Sequence, residues 1–141
     1  MAQTYATEVS GLYSTPATQA NGNVVGGRMR RYRATITLAS QADGDTVVLA
    51  KVPAGSVFAY GVINASATLG ASATVAIGIS GAAGKYRTAA VFTAAAPTLF
   101  GNVAAVDDSA LTAEEEVILT VGTAALPSSG TCVVDLYFSG V

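Results

Sequence analysis

Few side chains in this sequence could perform nucleophilic or metal chemistry, because histidine is absent from all 141 residues. Without an imidazole, neither a Ser-His-Asp nor a Cys-His nucleophilic site can form, and the usual zinc ligand sets are excluded. Cys132 is the single cysteine, so no intrachain disulfide can exist. It lies in an alternating apolar run, a pattern typical of a small core residue rather than a catalytic thiol. We therefore predict neither catalytic nor metal-binding residues.

Carboxylates are the other candidates for chemistry, and five of the nine acidic residues fall in one segment: Asp107, Asp108, Glu114, Glu115 and Glu116. Glycoside hydrolysis needs two carboxylates facing each other across a sugar-binding cleft. Three adjacent glutamates in a polar connection are more typical of a solvated turn, and the sequence has no Trp for a sugar platform. Asp43 and Asp45 flank a glycine, but two carboxylates fall short of the six to eight oxygens that calcium takes. A plain β-turn is predicted there.

A glycine-rich segment from Gly78 to Lys85 resembles a phosphate-binding loop, since it follows an apolar run and ends in Gly-Lys. The motif requires a glycine where Ile79 stands, and a Ser or Thr where Tyr86 follows the lysine. The spacing therefore does not favour nucleotide binding, and no cofactor is predicted.

Arginine is concentrated before and within the first predicted strand, at Arg28, Arg30, Arg31 and Arg33. Alternation places only Arg31 and Arg33 on one strand face, with no interleaved aromatic residues, and the net charge is −2. This pattern does not favour nucleic acid. It predicts instead an electrically two-ended molecule and an electrostatic seam to an acidic neighbour, such as the 107–116 segment of another copy.

Charged residues make up 11% of the chain, well below the usual share for a soluble domain, so neighbouring subunits are expected to cover part of the surface. No apolar segment reaches the ~20 residues needed to span a bilayer, and the N-terminus lacks the basic start and apolar run of a secretion signal. We expect no membrane partner and synthesis in the host cytoplasm.

Residues 1–27 show no sustained hydrophobic period and are predicted to form an N-terminal arm. A disordered tail is the alternative for a lone monomer. In an assembly, Val9, Leu12 and Tyr13 are candidates to fill small pockets on a partner, with the arginines at the junction between arm and domain.

Residues 28–141 are predicted to form one all-β domain, a β-sandwich resembling a jelly roll, because seven or eight short apolar runs are separated by turn residues. Lys85 to Phe92 fits neither the helical nor the strand period, and Ser80–Gly84 is expected to be a flexible loop. The turn residues of Leu126–Gly130 predict a hairpin between the last two strands. Period-two alternation in the first and last strands predicts a shared core of Tyr32, Ile36, Leu38, Val134, Leu136 and Phe138.

Several short segments of the sequence resemble small structural proteins of tailed bacteriophages, which are assigned to head decoration, cement or head-fibre roles. The resemblance covers about residues 45–138, leaves the arm unmatched and includes no chemically diagnostic motif. The segments that show this resemblance are Val52–Phe58, Gly61–Thr74, Lys85–Ala89, Pro97–Gly101 and Glu116–Thr120.

The resemblance implies a jelly-roll-like particle protein, a homotrimer that binds the major capsid protein on the outer surface of the phage head. We therefore expect a non-enzymatic capsid decoration or cement protein that stabilises contacts between capsid subunits. The alternative is a host-surface module of a head fibre or tail, which binds a glycan or receptor. A glycan-cleaving enzyme is a distant third interpretation.

Overall fold

The computed structural model describes residues 2–140, which form two four-stranded antiparallel sheets packed face to face. Short apolar runs that end at Gly, Pro, Asn and Asp turns produce the strands. They are β1 (Met29–Thr37), β2 (Thr46–Val52), β3 (Val57–Ala65), β4 (Thr74–Ile79), β5 (Ala82–Val91), β6 (Thr98–Phe100), β7 (Glu115–Gly122) and β8 (Thr131–Ser139).

The strand order identifies the sandwich as a jelly roll. One sheet, sheet A, has the order β1-β8-β3-β6, and the other, sheet B, has the order β2-β7-β4-β5. Strand β1 pairs with β8, β2 with β7, β3 with β6 and β4 with β5, so the chain folds back on itself as one long antiparallel ribbon. Rolling that ribbon brings β8 beside β3 and β7 beside β4. The predicted all-β, jelly-roll-like sandwich is confirmed.

The core lies between the two sheets and contains the residues that alternation selected. Five of the six predicted core side chains are buried, and Tyr32 is half-buried with its ring edge-on to Phe138 at 5.8 Å between centroids. Cys132 is buried in the same cluster, as its place in the apolar alternation predicts. Burying these apolar side chains is the main term that favours this sandwich over the unfolded chain.

The predicted hairpin between the last two strands is wrong, because β7 belongs to sheet B and β8 to sheet A. The Leu126–Gly130 segment does reverse the chain, but it carries it from one sheet to the other. Its backbone bonds to the β1–β2 loop: the Ser40 N–H donates to the Pro127 carbonyl, and the Leu126 N–H to the Gln41 carbonyl. Turn residues thus predict the reversal and not the partner strand.

The segment expected to be a flexible loop is instead a tight hairpin. Strands β4 and β5 are joined by Ser80 and Gly81, with Gly81 at a φ of +84°, and residues 82–84 already belong to β5. The undecided stretch from Lys85 is strand as far as Val91. The β4–β5 register shifts twice, and these irregularities interrupt the period-two alternation that marks a regular strand.

Two groups of loops lie at opposite ends of the sandwich. The end that we call the arm end contains the start of β1, the end of β8, the β2–β3 turn (residues 53–56) and the β6–β7 loop (residues 101–114). The Gly55 N–H donates to the Leu111 carbonyl at 2.8 Å, and the Leu111 N–H donates to the Ser56 carbonyl at 2.9 Å. These bonds fix the β6–β7 loop against the β2–β3 turn.

Two short helical turns precede β1, where the sequence showed no period. They are the α-helical turn α1 (Thr7–Ser10) and a 3₁₀ turn (Gly11–Tyr13). Neither helix in residues 2–140 has the length and apolar character needed to cross a membrane.

Candidate functional site

The N-terminal segment presents its two largest predicted contact residues to solvent. Leu12 is 48% exposed and Tyr13 is 64% exposed, whereas Val9 is half-buried. The Tyr13 ring stacks on Tyr5 with centroids 4.2 Å apart, which holds both rings over the helical turns. Tyr5, Leu12 and Tyr13 therefore form a small exposed apolar surface.

The end of the segment nearest β1 is attached to the sandwich. The Ser139 hydroxyl donates to the Asn23 carbonyl at 2.6 Å, and the Asn23 side-chain amide donates to the Gly55 carbonyl at 3.5 Å. The Gly140 N–H donates to the Arg28 carbonyl at 3.2 Å. Residues 23–28 are therefore held at the arm end.

Of the four clustered arginines, Arg33 is neutralised within the chain. Its guanidinium donates two parallel hydrogen bonds to the Asp135 carboxylate, at 2.9 and 2.8 Å, across the β1–β8 ladder. These bonds hold the pKa of Asp135 below its ordinary value, and they outweigh the opposing effect of burial. Arg28, Arg30 and Arg31 are exposed. This ion pair could not be predicted from the sequence, because Asp135 lies opposite Arg33 only through the β1–β8 register.

The outer side of sheet A forms a surface that we call the tyrosine face, made of Tyr60, Val62, Leu99, Asp135 and Tyr137. The two tyrosine rings stack with centroids 4.7 Å apart, and Leu99 beside them is 70% exposed. The β3–β8 and β3–β6 registers place these side chains on one side of the sheet. Tyrosine and arginine are enriched in protein–protein interfaces, whereas unpaired acidic residues are depleted there. This face, with its acid neutralised by Arg33, has that character.

A cavity of about 170 Å³ opens at the arm end, between the β6–β7 loop and the start of β7. Phe58, Tyr86, Leu111, Asp107 and Glu115 are among the residues that line it. Both Glu115 oxygens are bound: Lys85 forms an ion pair with one, and the Tyr86 hydroxyl donates to the other at 2.6 Å.

Burial, together with the bond to Glu115, raises the pKa of Tyr86 well above its ordinary value. This network keeps Tyr86 protonated, and it occupies both oxygens of the Glu115 carboxylate with hydrogen bonds. It anchors β5 to β7 at the mouth of the cavity. Its place in the run of three glutamates predicted that Glu115 would lie in a solvated turn. That prediction is wrong, because Glu115 begins β7 and its carboxylate is bound by Lys85 and Tyr86.

The remaining chemical candidates occupy structural positions. Asp45 accepts a bond from the Ala42 N–H at 2.8 Å and so stabilises the predicted turn. Asp43 accepts one from the N–H of Thr123, just after β7, at 3.0 Å and so connects the turn to the end of β7. Burial raises the pKa of the Cys132 thiol to about 11, which suppresses its thiolate. Within residues 2–140 no group of three or more His, Cys, Asp or Glu side chains is placed to hold a metal ion.

Comparison with known proteins relates the sandwich to solved capsid structures. A chain in the capsid of Ralstonia phage GP4 is 20% identical with a TM-score of 0.66, and the match covers 82% of this chain and 86% of that one. A chain in the cyanophage Pam1 capsid asymmetric unit is 19% identical with a TM-score of 0.63, covering 86% of this chain and 91% of that one. The fold is shared with phage capsid chains.

A third match extends the same fold to a more distant sequence. A chain in the acidic stable capsid of Helicobacter pylori bacteriophage KHP30 is 12% identical with a TM-score of 0.60, covering 79% of this chain and 87% of that one. The covered shares are similar on both sides, so the matched chains are about as long as this one. No protein-family model and no curated protein matches the sequence.

Proposed function

We propose that this chain is a virion structural protein, a decoration or cement protein that binds the assembled phage head on its outer surface. The observation that carries the proposal is the jelly roll shared, over most of both chains, with chains of similar length in three phage capsids. The low charge and the resemblance of residues 45–138 to small phage head proteins support the same role. Its partners are the major capsid protein and further copies of itself, as a homotrimer.

Such a role requires contact area rather than catalysis, and two surfaces supply it. The tyrosine face exposes Tyr60 and Leu99, and the arm adds the exposed side chains of Leu12 and Tyr13. A standard interface buries on the order of 1,600 Å² in total. Ligands that bind only the assembled shell stabilise it by mass action, and multiple linked copies strengthen that effect.

The tyrosine face also separates this role from host-glycan binding. A glycan-binding module should have a cleft lined with exposed tyrosines, whereas Tyr60 and Tyr137 stack against each other on the outer side of sheet A and do not line the cavity at the arm end. The cavity at the arm end has Tyr86 in its lining, but that ring is buried and its hydroxyl is bonded to Glu115. These features favour a protein surface as the partner.

The test uses phage particles that lack this protein, to which the purified protein is added before sedimentation. We expect it to co-sediment with intact particles, to raise the temperature at which they release DNA, and not to bind unassembled capsid subunits. Tyr60→Ser combined with Leu99→Ser should weaken co-sedimentation at least tenfold. Val48→Ser is the matched control, because Val48 is 56% exposed on the outer side of sheet B. Failure of the wild-type protein to bind intact particles would refute the proposal.

A further inference from the structure

One edge of the sandwich carries exposed apolar and acidic side chains together. The β6–β7 loop leaves the β6 edge of sheet A and exposes Val103, which is 89% accessible, along with Val106, Asp107 and Asp108. We call these four residues the acidic flank. Asp107 accepts a hydrogen bond from the Ser109 N–H at 3.0 Å, but within residues 2–140 neither aspartate forms an ion pair. Apolar side chains this exposed beside such carboxylates are typical of a surface that a partner covers.

The opposite edge carries the complementary combination. Strand β1 is the outermost strand of sheet A, and Met29, Arg30 and Arg31 at its start are exposed. Val25 and Arg28 are exposed in the segment that leads into it. We call these five residues the basic flank. Arg33 is not part of it, because Asp135 already neutralises its charge.

Both flanks lie at the arm end, on opposite edges of the sandwich. The sequence had predicted instead that the arginines and the acidic residues would lie at two different ends of the molecule. Met29 pairs with Ser139, which also pairs with Val57, and the β2–β3 turn before Val57 is bonded to Leu111 of the β6–β7 loop. The flanks are therefore at about the same height along the strands. They are separated by the width of sheet A, about 14 Å for three strand spacings.

This placement determines which assembly the two flanks can build. Complementary patches on opposite edges of one molecule make a head-to-tail contact, which forms a ring if it closes and a helical filament if it does not. Because the two patches share one height, successive copies need little rise between them. Such a contact closes into a ring when the rotation between neighbouring copies divides a full turn evenly.

We propose that the basic flank of one copy binds the acidic flank of the next and that this contact closes the homotrimer. The proposal deepens the self-association included in the proposed function and rests on it. Arg28, Arg30 and Arg31 would face Asp107 and Asp108, while Met29 and Val25 would cover Val103 and Val106. Oppositely charged groups give such a contact its register and partner choice.

Sedimentation of the purified chain, without phage particles, tests the proposed contact between the basic flank and the acidic flank. The wild-type protein should sediment as three 14.0-kDa chains. Arg30→Glu with Arg31→Glu should give monomers, and so should Asp107→Lys with Asp108→Lys. The chain carrying all four changes should recover the trimer, because the charges are reversed on both sides. Added salt should lower the trimer fraction of the wild-type protein.

The control places two acidic side chains at the other end of the sandwich, as Ser128→Glu with Ser129→Glu, and should remain trimeric. Circular dichroism and melting establish that each variant is folded. Any one of three results would contradict the proposed contact: a monomeric wild type, double variants that stay trimeric, or a fourfold variant that stays monomeric. Since shell binding is measured separately, on particles, such a result leaves the decoration role standing.

Discussion

The Arg33 guanidinium and the Asp135 carboxylate form a two-bond ion pair across the edge of sheet A, although Asp135 itself is only 6% exposed. A carboxylate at that position depends on the arginine, because removing one partner of such a pair leaves an unpaired charge in a site largely closed to water. The pair joins the first strand of the domain to the last.

Acid should therefore weaken the fold through Asp135. Its native pKa lies below the ordinary value of 3.8, so its contribution is complete above that value and is lost as the pH falls through the native pKa. We expect the wild-type melting temperature to drop more steeply below pH 4 than that of Asp135→Asn, which already lacks the charge at pH 7. Glu114→Gln, an exposed control outside both flanks, should follow the wild-type curve. Parallel curves for the wild type and Asp135→Asn would contradict the pairing.

Alkali should act on the fold through Tyr86. Its native pKa is raised above the ordinary value of 10.0, so its contribution is complete below pH 10 and declines as the pH rises further. Tyr86→Phe should lower the melting temperature at pH 7, because Glu115 loses a hydrogen bond, and should flatten the decline above pH 10. Tyr13→Phe is the control, since that ring is exposed. A decline unchanged in Tyr86→Phe would show that another group is responsible.

The core assignment predicts unequal effects of two truncations in paired strands. Leu136→Ala removes a fully buried side chain and should lower the free energy of unfolding by about 2–5 kcal/mol. Thr37→Ala changes an exposed residue and should alter it by less than about 0.5 kcal/mol. Urea denaturation measures both. Equal small losses would mean that the alternation had been assigned to the wrong face.

Alternation was sufficient for this part of the fold because every second side chain, from Tyr32 in β1 and from Cys132 in β8, is apolar and packs in or against the core. It was insufficient for β5, where the register with β4 shifts twice and Arg87 donates to the carbonyls of Ala90 and Val91 in its own strand. The strands that pair with β8 could not be predicted from the residues near it in sequence either. The 126–130 turn specifies a reversal, whereas the rolled topology decides that β8 joins β1 and β3.

The candidate surfaces show the same limit. Leu12, Tyr13 and the exposed arginines could be named from composition and position, but the tyrosine face could not. Tyr60 and Tyr137 are 77 residues apart in sequence, and only the β3–β8 register places them side by side. The internal pairing of Arg33 likewise required the fold.

Removal of residues 2–20 tests the arm. That truncation keeps Asn23, which bonds to Ser139 and Gly55, so the melting temperature should stay close to that of the full chain. Binding to particles that lack the native protein should be abolished or sharply weakened, because Val9, Leu12 and Tyr13 are lost. Leu12→Ser with Tyr13→Ser should reproduce most of the loss without shortening the chain. Undiminished binding of the truncated protein would show that the arm is a passive tail.

The most direct test of the decoration role is a pair of reconstructions, one of the native virion and one of a particle from which the gene has been deleted. We expect difference density on the outer surface of the head, in groups of three whose members each fit this eight-stranded jelly roll. Each group should contact the major capsid protein through its arm. Difference density confined to the neck or tail, or none on the head, would contradict the account.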